Sequence, residues 1–250
     1  MINATSVGLL GNYTILTMKF TALANSMLTP ITPIIGNLLL DKDETKNLNV
    51  FRSYTFVRFV IAALIIVVFT TVINDFIIWW VGEEYVLPSA IKYLLAADIY
   101  INLYYTACCD FIGAAGLFKD DKKIAVQGAL INIISSIALV KVLGMKGVLI
   151  GTVISQSFFW LRRSYLMFSK CMTFNINRFL SYWLHSVFDI ITVLILIIFS
   201  NYFYGCIFVD NVIWKVIFGS IITGILVLLV LVLLYFKTPE FKYIISFKRS

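Results

Sequence analysis

Charged residues are scarce in this 250-residue chain: only 13% of its residues are Asp, Glu, Lys or Arg, whereas 61% are hydrophobic. An average soluble domain carries about 25% charged residues. The composition therefore excludes a soluble globular domain, and the mean hydropathy of +0.95 indicates a membrane protein. A spanning helix needs about 20 apolar residues, so the chain has room for several spans and no sizeable soluble domain.

Cysteine and histidine are also rare, with four and one in the chain. Cys108, Cys109, Cys171 and Cys206 show neither metal-ligand spacing nor a disulfide framework, and we interpret them as packing residues. The motifs GxxxxGK[ST], GxSxG, HExxH and CxxC are absent. We therefore predict a protein that is not an enzyme and uses no cofactor or metal.

The net charge of +7 does not indicate a nucleic-acid partner, because the basic residues lie in short loops between apolar segments. Such loops are typical topology signals that face anionic membrane lipids. Fifteen of the 20 Lys and Arg residues fall in 42–58, 119–123, 162–178 and 237–249, against four on the other side and Lys19 within a span. The positive-inside rule then predicts a cytoplasmic C-terminus and an external N-terminus.

Seven apolar segments have the length and flanks of spans. They are 7–40, 55–81, 88–115, 124–140, 147–168, 186–209 and 216–236. The predicted fold class is all-α: a polytopic transmembrane helix bundle of about seven spans. The first segment is longer than a bilayer requires and contains Pro30 and Pro33, so it predicts a kink near these prolines. An external start with no signal peptide favours a chain that lacks upstream helices, as a fragment or a split-gene half, over a true N-out protein.

Lys19 is the first candidate functional residue, because a lone cation inside a span costs about 2.5–3.5 kcal/mol on insertion scales. Asn12, Lys19 and Ser26 are seven residues apart and share one helical face. This stripe indicates a cavity that meets an anionic substrate. The alternatives are a structural ion pair and a side chain that reaches the outer headgroups.

A second polar stripe follows the third span through Asp98, Asn102, Thr106 and Asp110. Asp98 and Asp110 are about 18 Å apart along a helix at 1.5 Å per residue, so they do not form a carboxylate dyad. One of them would pair with Lys19 or bind a proton or cation. For Asp110 we favour a simple position near the cytoplasmic interface, and for Asp98 both interpretations stay open.

Three further features have a functional and a structural interpretation. Arg52 and Arg58 open the second span and would contact a phosphate at the cytoplasmic mouth or fix topology. His185 and Asp189 have the i, i+4 spacing of a proton relay, but we favour a helix-end pair. Gly147, Gly151 and Ser155 form a small-xxx-small run, which predicts close helix packing.

Three segments carry motifs that occur in the same order in a known family. The opening segment VGLLGNYTILTMKF and its GNL ending contribute Val7, Gly8, Asn12, Tyr13, Gly36, Asn37 and Leu38. The segment IIWWVGEEYVL contributes Ile78, Trp80, Gly82, Glu83 and Leu87. The aliphatic pair ALINIISSIALVKVLGMKGVLIGTVIS contributes Gly144, Gly147, Gly151 and Thr152. With these motifs, residues 5 to 170 resemble the C-terminal lobe of bacterial polysaccharide flippases of the multidrug/oligosaccharidyl-lipid/polysaccharide exporter superfamily.

The resemblance implies a lobe of a two-lobed alternating-access transporter that moves undecaprenyl-pyrophosphate-linked oligosaccharide repeat units across the bacterial inner membrane. Residues 1–170 would form the C-terminal lobe without its first helix, and 171–250 two added helices and a basic cytoplasmic tail. Lys19 would be a basic cavity residue, and the partners would be the lipid-linked oligosaccharide, membrane lipids and a separately encoded N-terminal lobe. A single lobe would be inactive alone. The alternatives are a polysaccharide polymerase, a glycosyl- or acyltransferase component, a small-molecule exporter of the superfamily and a non-functional remnant.

Overall fold

The structure, a computed structural model, describes residues 4–40 and 43–247, and these form helices joined by short turns, with no β-strand in the described ranges. In chain order the helices are α1 (Ala4–Leu28), α2 (Thr32–Leu40), α3 (Glu44–Trp80), α4 (Ser89–Ala114), α5 (Phe118–Leu143), α6 (Met145–Leu166), α7 (Ile176–Gly205), α8 (Val212–Tyr235) and α9 (Pro239–Phe247). The prediction of an all-α transmembrane bundle is confirmed.

Five helical segments in the described part of the chain are long and apolar enough to cross a membrane. They are Gly8–Leu40, Glu44–Trp80, Phe118–Leu143, Ile176–Gly205 and Val212–Tyr235. The sequence predicted seven spans. The two predicted spans that are not among these five segments correspond to α4 and α6. Both have the length of a span, with 26 and 22 residues. Their polar residues, such as Asp98 in α4 and Gln156 in α6, lower their hydropathy.

The break in the first span lies where the prolines predict it. Residues Thr29–Ile31 form a 3₁₀ turn between α1 and α2, with Pro30 in its first turn. Proline removes a backbone donor and clashes with the preceding helical turn, so α1 ends and α2 restarts at Thr32. The predicted kink is confirmed.

The 37-residue helix α3 is the centre of the bundle, since it packs against α4, α7, α8 and α9. Its N-terminus is fixed by Asp43, whose side chain accepts hydrogen bonds from the backbone N–H groups of Thr45 and Lys46, both at 3.0 Å. The core that it forms with α4 is aromatic: Phe51 and Phe111 are fully buried, and their rings meet edge to face with centroids 5.2 Å apart.

Helices α5 and α6 pack closely against each other. A Cβ at Gly147 would lie 2.3 Å from the carbonyl oxygen of Leu139, and one at Gly151 would lie 2.4 Å from Oγ of Ser136. Gly147, Gly151 and Ser155 are all buried. The packing role predicted for this small-residue run is therefore confirmed.

The basic segments of the sequence lie together at one end of the bundle, here called the basic end. Arg178 pairs with Glu44 at 3.2 Å, Arg163 with Asp121 at 2.7 Å, and Lys170 with Asp120 at 2.6 Å. The opposite end, here called the far end, holds the ion pair of Lys215 with Asp75 at 3.0 Å. The loops that charge counting assigned to one side are thus neighbours in space, and the cytoplasmic position of this end stays a prediction.

Candidate functional site

A small cavity opens at the basic end between α3, α7, α8 and α9, with a mainly apolar, aromatic lining and a few charged side chains, and we call it the basic-end pocket. It has a volume of about 60 Å³. Its polar walls come from Arg52, Arg178, His185, Glu240 and the buried Asp189. The pocket therefore places two guanidinium groups, an imidazole and two carboxyls around a space that holds a few water molecules.

Helix α7 supplies most of this wall because its polar residues recur at helical spacing. The helix starts at the cap residue Asn175, whose side chain accepts the backbone N–H groups of Asn177 at 2.9 Å and Arg178 at 3.3 Å. Positions 178, 182, 185 and 189 then fall on one face. This face is turned towards the pocket, while the opposite face of α7 is apolar and exposed.

Asp189 closes the inner end of the pocket. Its carboxylate accepts a hydrogen bond from the Tyr104 hydroxyl at 2.7 Å and a second from the Tyr235 hydroxyl at 2.6 Å. The side chain of Asp189 thus joins α7 to both α4 and α8. His185, four residues earlier, is exposed, and its Nδ1 lies 2.7 Å from the Ser181 carbonyl oxygen. The i, i+4 spacing of His185 and Asp189 consequently produces no direct hydrogen bond between them.

Aromatic side chains pack next to Asp189 on the side of α4 and α6. The Trp160 indole N–H donates to the Tyr182 hydroxyl at 2.7 Å, and the ring of Tyr104 lies 5.0 Å from that of Trp160. Beyond them an apolar cavity of about 650 Å³ runs between α4, α6 and α7, with Tyr100 and Trp160 in its wall. The aromatic cluster therefore separates the basic-end pocket from this lateral groove.

Arg58 lies inside the bundle instead of in the pocket. Its side chain is 3% exposed, and Nη2 donates to Oδ2 of Asp110 at 2.6 Å. The Tyr54 hydroxyl donates to the same oxygen at 2.6 Å, and Nη1 of Arg58 donates to Oδ1 of Asn25 at 3.1 Å. This cluster joins α1, α3 and α4. Asp110 is thus an ion-pair partner within the protein, and its position near the cytoplasmic interface stays a prediction.

Asp98 and Asn102 face α6. The Asn102 amide lies 3.5 Å from the Tyr105 hydroxyl, which donates to Oε1 of Gln156 at 2.9 Å. Oδ1 of Asp98 is buried without a hydrogen-bond partner among the described residues. The polar stripe of α4 is therefore divided, since Asp98 and Asn102 belong to the α4–α6 contact and Asp110 to the α3–α4 contact.

Lys19 lies on the outer face of α1. The buried residues Tyr13, Thr17, Ala24 and Leu28 form the opposite face, and the Tyr13 hydroxyl accepts the Leu87 backbone N–H at 3.1 Å. Lys19 and Ser26 are exposed and Asn12 is half-buried. Lys19 forms no ion pair with any residue that the structure describes, so neither Asp98 nor Asp110 is its partner. The stripe of Asn12, Lys19 and Ser26 stays together, but it points away from the bundle.

Sequence reasoning missed the hydroxyl groups that hold the carboxylates. Tyr54, Tyr104 and Tyr235 carry no local signal, because the carboxylates that they bind lie on other helices. The described residues contain no group of three or more His, Cys, Asp or Glu side chains that could hold a metal ion. Comparisons with models of protein families, with curated proteins and with solved structures found no match.

Proposed function

We propose that this chain is one lobe of a bacterial inner-membrane flippase, which moves undecaprenyl-pyrophosphate-linked oligosaccharide repeat units to the outer leaflet during surface polysaccharide synthesis. The observation that carries the proposal is the position of Lys19. It lies well inside the span Gly8–Leu40, is exposed, and has no ion-pair partner in the described parts of the chain.

A lysine in this position is costly if it faces lipid, by about 2.5–3.5 kcal/mol on insertion scales. The cost disappears if the outer face of α1 lines a water-filled cavity, and Asn12 and Ser26 extend that face with two more polar groups. Such a cavity needs a second wall. We assign that wall to a separately encoded N-terminal lobe, in agreement with the family resemblance of residues 5 to 170.

The basic-end pocket supports an anionic substrate. Arg52 is half-buried in its wall and forms no hydrogen bond or ion pair with another described residue. A guanidinium group binds phosphate oxygens in a two-pronged geometry. If the basic end is cytoplasmic, as the positive-inside rule predicts, Arg52 is placed where a pyrophosphate headgroup would first meet the transporter.

The proposal is tested in a strain whose own repeat-unit flippase is deleted, with this chain expressed together with a candidate for the separately encoded N-terminal lobe that we propose. We expect surface polysaccharide with the wild-type chain and with Lys19→Arg, and a loss of at least tenfold with Lys19→Ala. The matched control is Lys146→Ala, which removes another exposed lysine at the start of α6 and should leave polysaccharide unchanged. Membrane amounts of each variant are compared by immunoblot.

Normal polysaccharide with Lys19→Ala would overturn the cavity role of Lys19. Absence of polysaccharide with every variant, together with export of small cationic dyes, would replace the flippase by a small-molecule exporter. Accumulation of flipped but unpolymerised repeat units in the outer leaflet would instead identify a polymerase component.

A further inference from the structure

Asp189 is the most buried carboxylate among the described residues, and its negative charge has no cation beside it. Asp98 also forms no ion pair, but it is less buried and its Oδ1 has no hydrogen-bond partner in the described structure. Asp110 is neutralised by Arg58 at 2.6 Å and Asp75 by Lys215 at 3.0 Å. Asp189 is only 7% exposed, yet no Lys or Arg of the described chain lies within 4.0 Å of it. We propose that Asp189 is a reversible proton-binding site whose protonation loosens α7 from α4 and α8.

The two charge states of Asp189 are opposed by different physical effects. Removal from water penalises the ionised carboxylate. The hydroxyls of Tyr104 and Tyr235, at 2.7 and 2.6 Å, stabilise it through two short charge-assisted hydrogen bonds. A neighbouring cation would fix the charge permanently. Its absence leaves the carboxyl free to exchange a proton.

A proton can reach Asp189 from the basic end. The basic-end pocket of about 60 Å³ reaches Asp189 from the side of His185 and Arg52, and a water needs about 10–15 Å³ of such volume. On the other side the cluster of Tyr104, Tyr182 and Trp160 closes the path. The site is therefore open to the basic end and shut from the groove.

The charged and titratable groups around Asp189 come from every helix packed against it. They are Arg52 of α3, Tyr100 and Tyr104 of α4, Arg178, Tyr182 and His185 of α7, Tyr235 of α8 and Glu240 of α9. Arg178 is held by Glu44 at 3.2 Å. His185 is exposed at the mouth of the pocket.

Protonation changes the hydrogen bonds that hold the helices. An ionised carboxylate accepts from both tyrosines, whereas a neutral carboxyl carries a hydrogen on one oxygen, and that oxygen is a donor. The tyrosine facing it must turn its own hydrogen away, so one of the two bonds is weakened. A metal ion fits this site poorly, because both carboxylate oxygens are already occupied by hydroxyl donors at 2.7 Å or less.

Infrared difference spectroscopy of the full chain in lipid nanodiscs tests the proton site, since a protonated carboxyl has a carbonyl band that a carboxylate lacks. On lowering the pH we expect this band in the wild type and its loss in Asp189→Asn. Tyr235→Phe should move the band to higher frequency, because the carboxyl loses a hydrogen bond. The matched control is Tyr204→Phe, which removes a hydroxyl that donates to the ion-paired Asp75 at 2.8 Å and should leave the band in place.

A band that persists in Asp189→Asn, or one that does not move in Tyr235→Phe, would overturn the proton site. The second readout is hydrogen–deuterium exchange of α7. After correction for the intrinsic pH dependence of amide exchange, we expect the opening of α7 to increase at least threefold at low pH in the wild type and to be independent of pH in Asp189→Asn, whose amide mimics the neutral acid. Equal pH dependence in both chains would overturn the loosening of α7.

The proton site stands without the transport proposal, and only its use in driving flipping rests on that proposal. The two fail separately. Loss of the infrared band in Asp189→Asn with no polysaccharide export by any variant would leave the proton site and remove the flippase. Export in Asp189→Asn at the wild-type level, with the band lost, would keep both and remove the coupling between them.

Discussion

Carboxylates inside the bundle are neutralised in different ways, and this decides what each residue contributes. Asp110 has the guanidinium of Arg58 and the hydroxyl of Tyr54 on one oxygen. Asp75 has the ammonium of Lys215, and Asp189 has hydroxyls alone. Removal of one partner of a buried ion pair strongly destabilises the fold, because the other charge is then left without compensation.

Asp110→Asn should therefore destabilise the fold by about 3–5 kcal/mol. Arg58 would keep its charge at 3% exposure, and its Nε is already without a hydrogen-bond partner in the described structure. The measurement is the free energy of unfolding in mixed micelles, titrated with denaturing detergent.

The control for this change is Asp120→Asn, which removes a carboxylate that pairs with Lys170 and Lys123 at the exposed basic end. Water screens this network, so the loss should be much smaller. Equal losses for the two variants would contradict the importance that we give to burial of the Arg58–Asp110 pair.

Local sequence patterns pointed to individual polar residues but not to the residues that they contact. Lys19 was singled out because a charge inside an apolar run is visible locally. The pairing of Arg58 with Asp110 links positions 52 residues apart and depends on how α3 and α4 cross, which no local pattern contains. Tyr235 gave no signal, since its hydroxyl becomes important only where α8 meets Asp189.

Among the elements, the α5–α6 pair depends most on residue size. Its two backbones approach at Gly147 and Gly151 so closely that a side chain at either position would overlap the facing helix. Small residues at four-residue spacing allow such contacts between membrane helices. This pattern is local and repetitive, and the sequence therefore predicted it, as it predicted the break at Pro30.

Gly147→Ala should destabilise the chain by about 1–3 kcal/mol, as overpacking does, because the new methyl would lie 2.3 Å from a backbone oxygen of Leu139. Gly224→Ala is the matched control: a Cβ there meets no atom within 4 Å. Alanine is the better helix former by about 0.5–1 kcal/mol, so this control should be neutral or stabilising. Thermal unfolding in detergent micelles measures both changes, and a more stable Gly147→Ala variant would contradict the close approach of the helices.

At the scale of the whole molecule, the division into a basic end and a far end is the most consistent feature. Residues 119–123, 162–178 and the start of α3 meet at one end. Apolar runs and charge counts contain this information, and they predicted it. Neither pattern indicates that α7 and α8 pack against α3. The boundary at residue 170 between a lobe and two added helices stays a prediction.

Reporter fusions test the orientation. Alkaline phosphatase fused after Glu84, in the turn between α3 and α4, should be active, because it would lie outside the cytoplasm. The same reporter fused after Lys122, at the basic start of α5, should be inactive, and green fluorescent protein at that site should fluoresce. The reverse pattern would contradict the positive-inside assignment.

The length of α3 sets the relation between the bundle and its bilayer. At 1.5 Å per residue, its 37 residues extend about 55 Å, whereas the hydrocarbon core of a bilayer is about 30 Å thick. Several turns of α3 therefore stand in the headgroups and water, or the helix tilts steeply. A thicker membrane would be accommodated by a smaller tilt of α3, at a cost of fractions of a kcal/mol per Å, so the protein should keep its fold across lipids of different chain length.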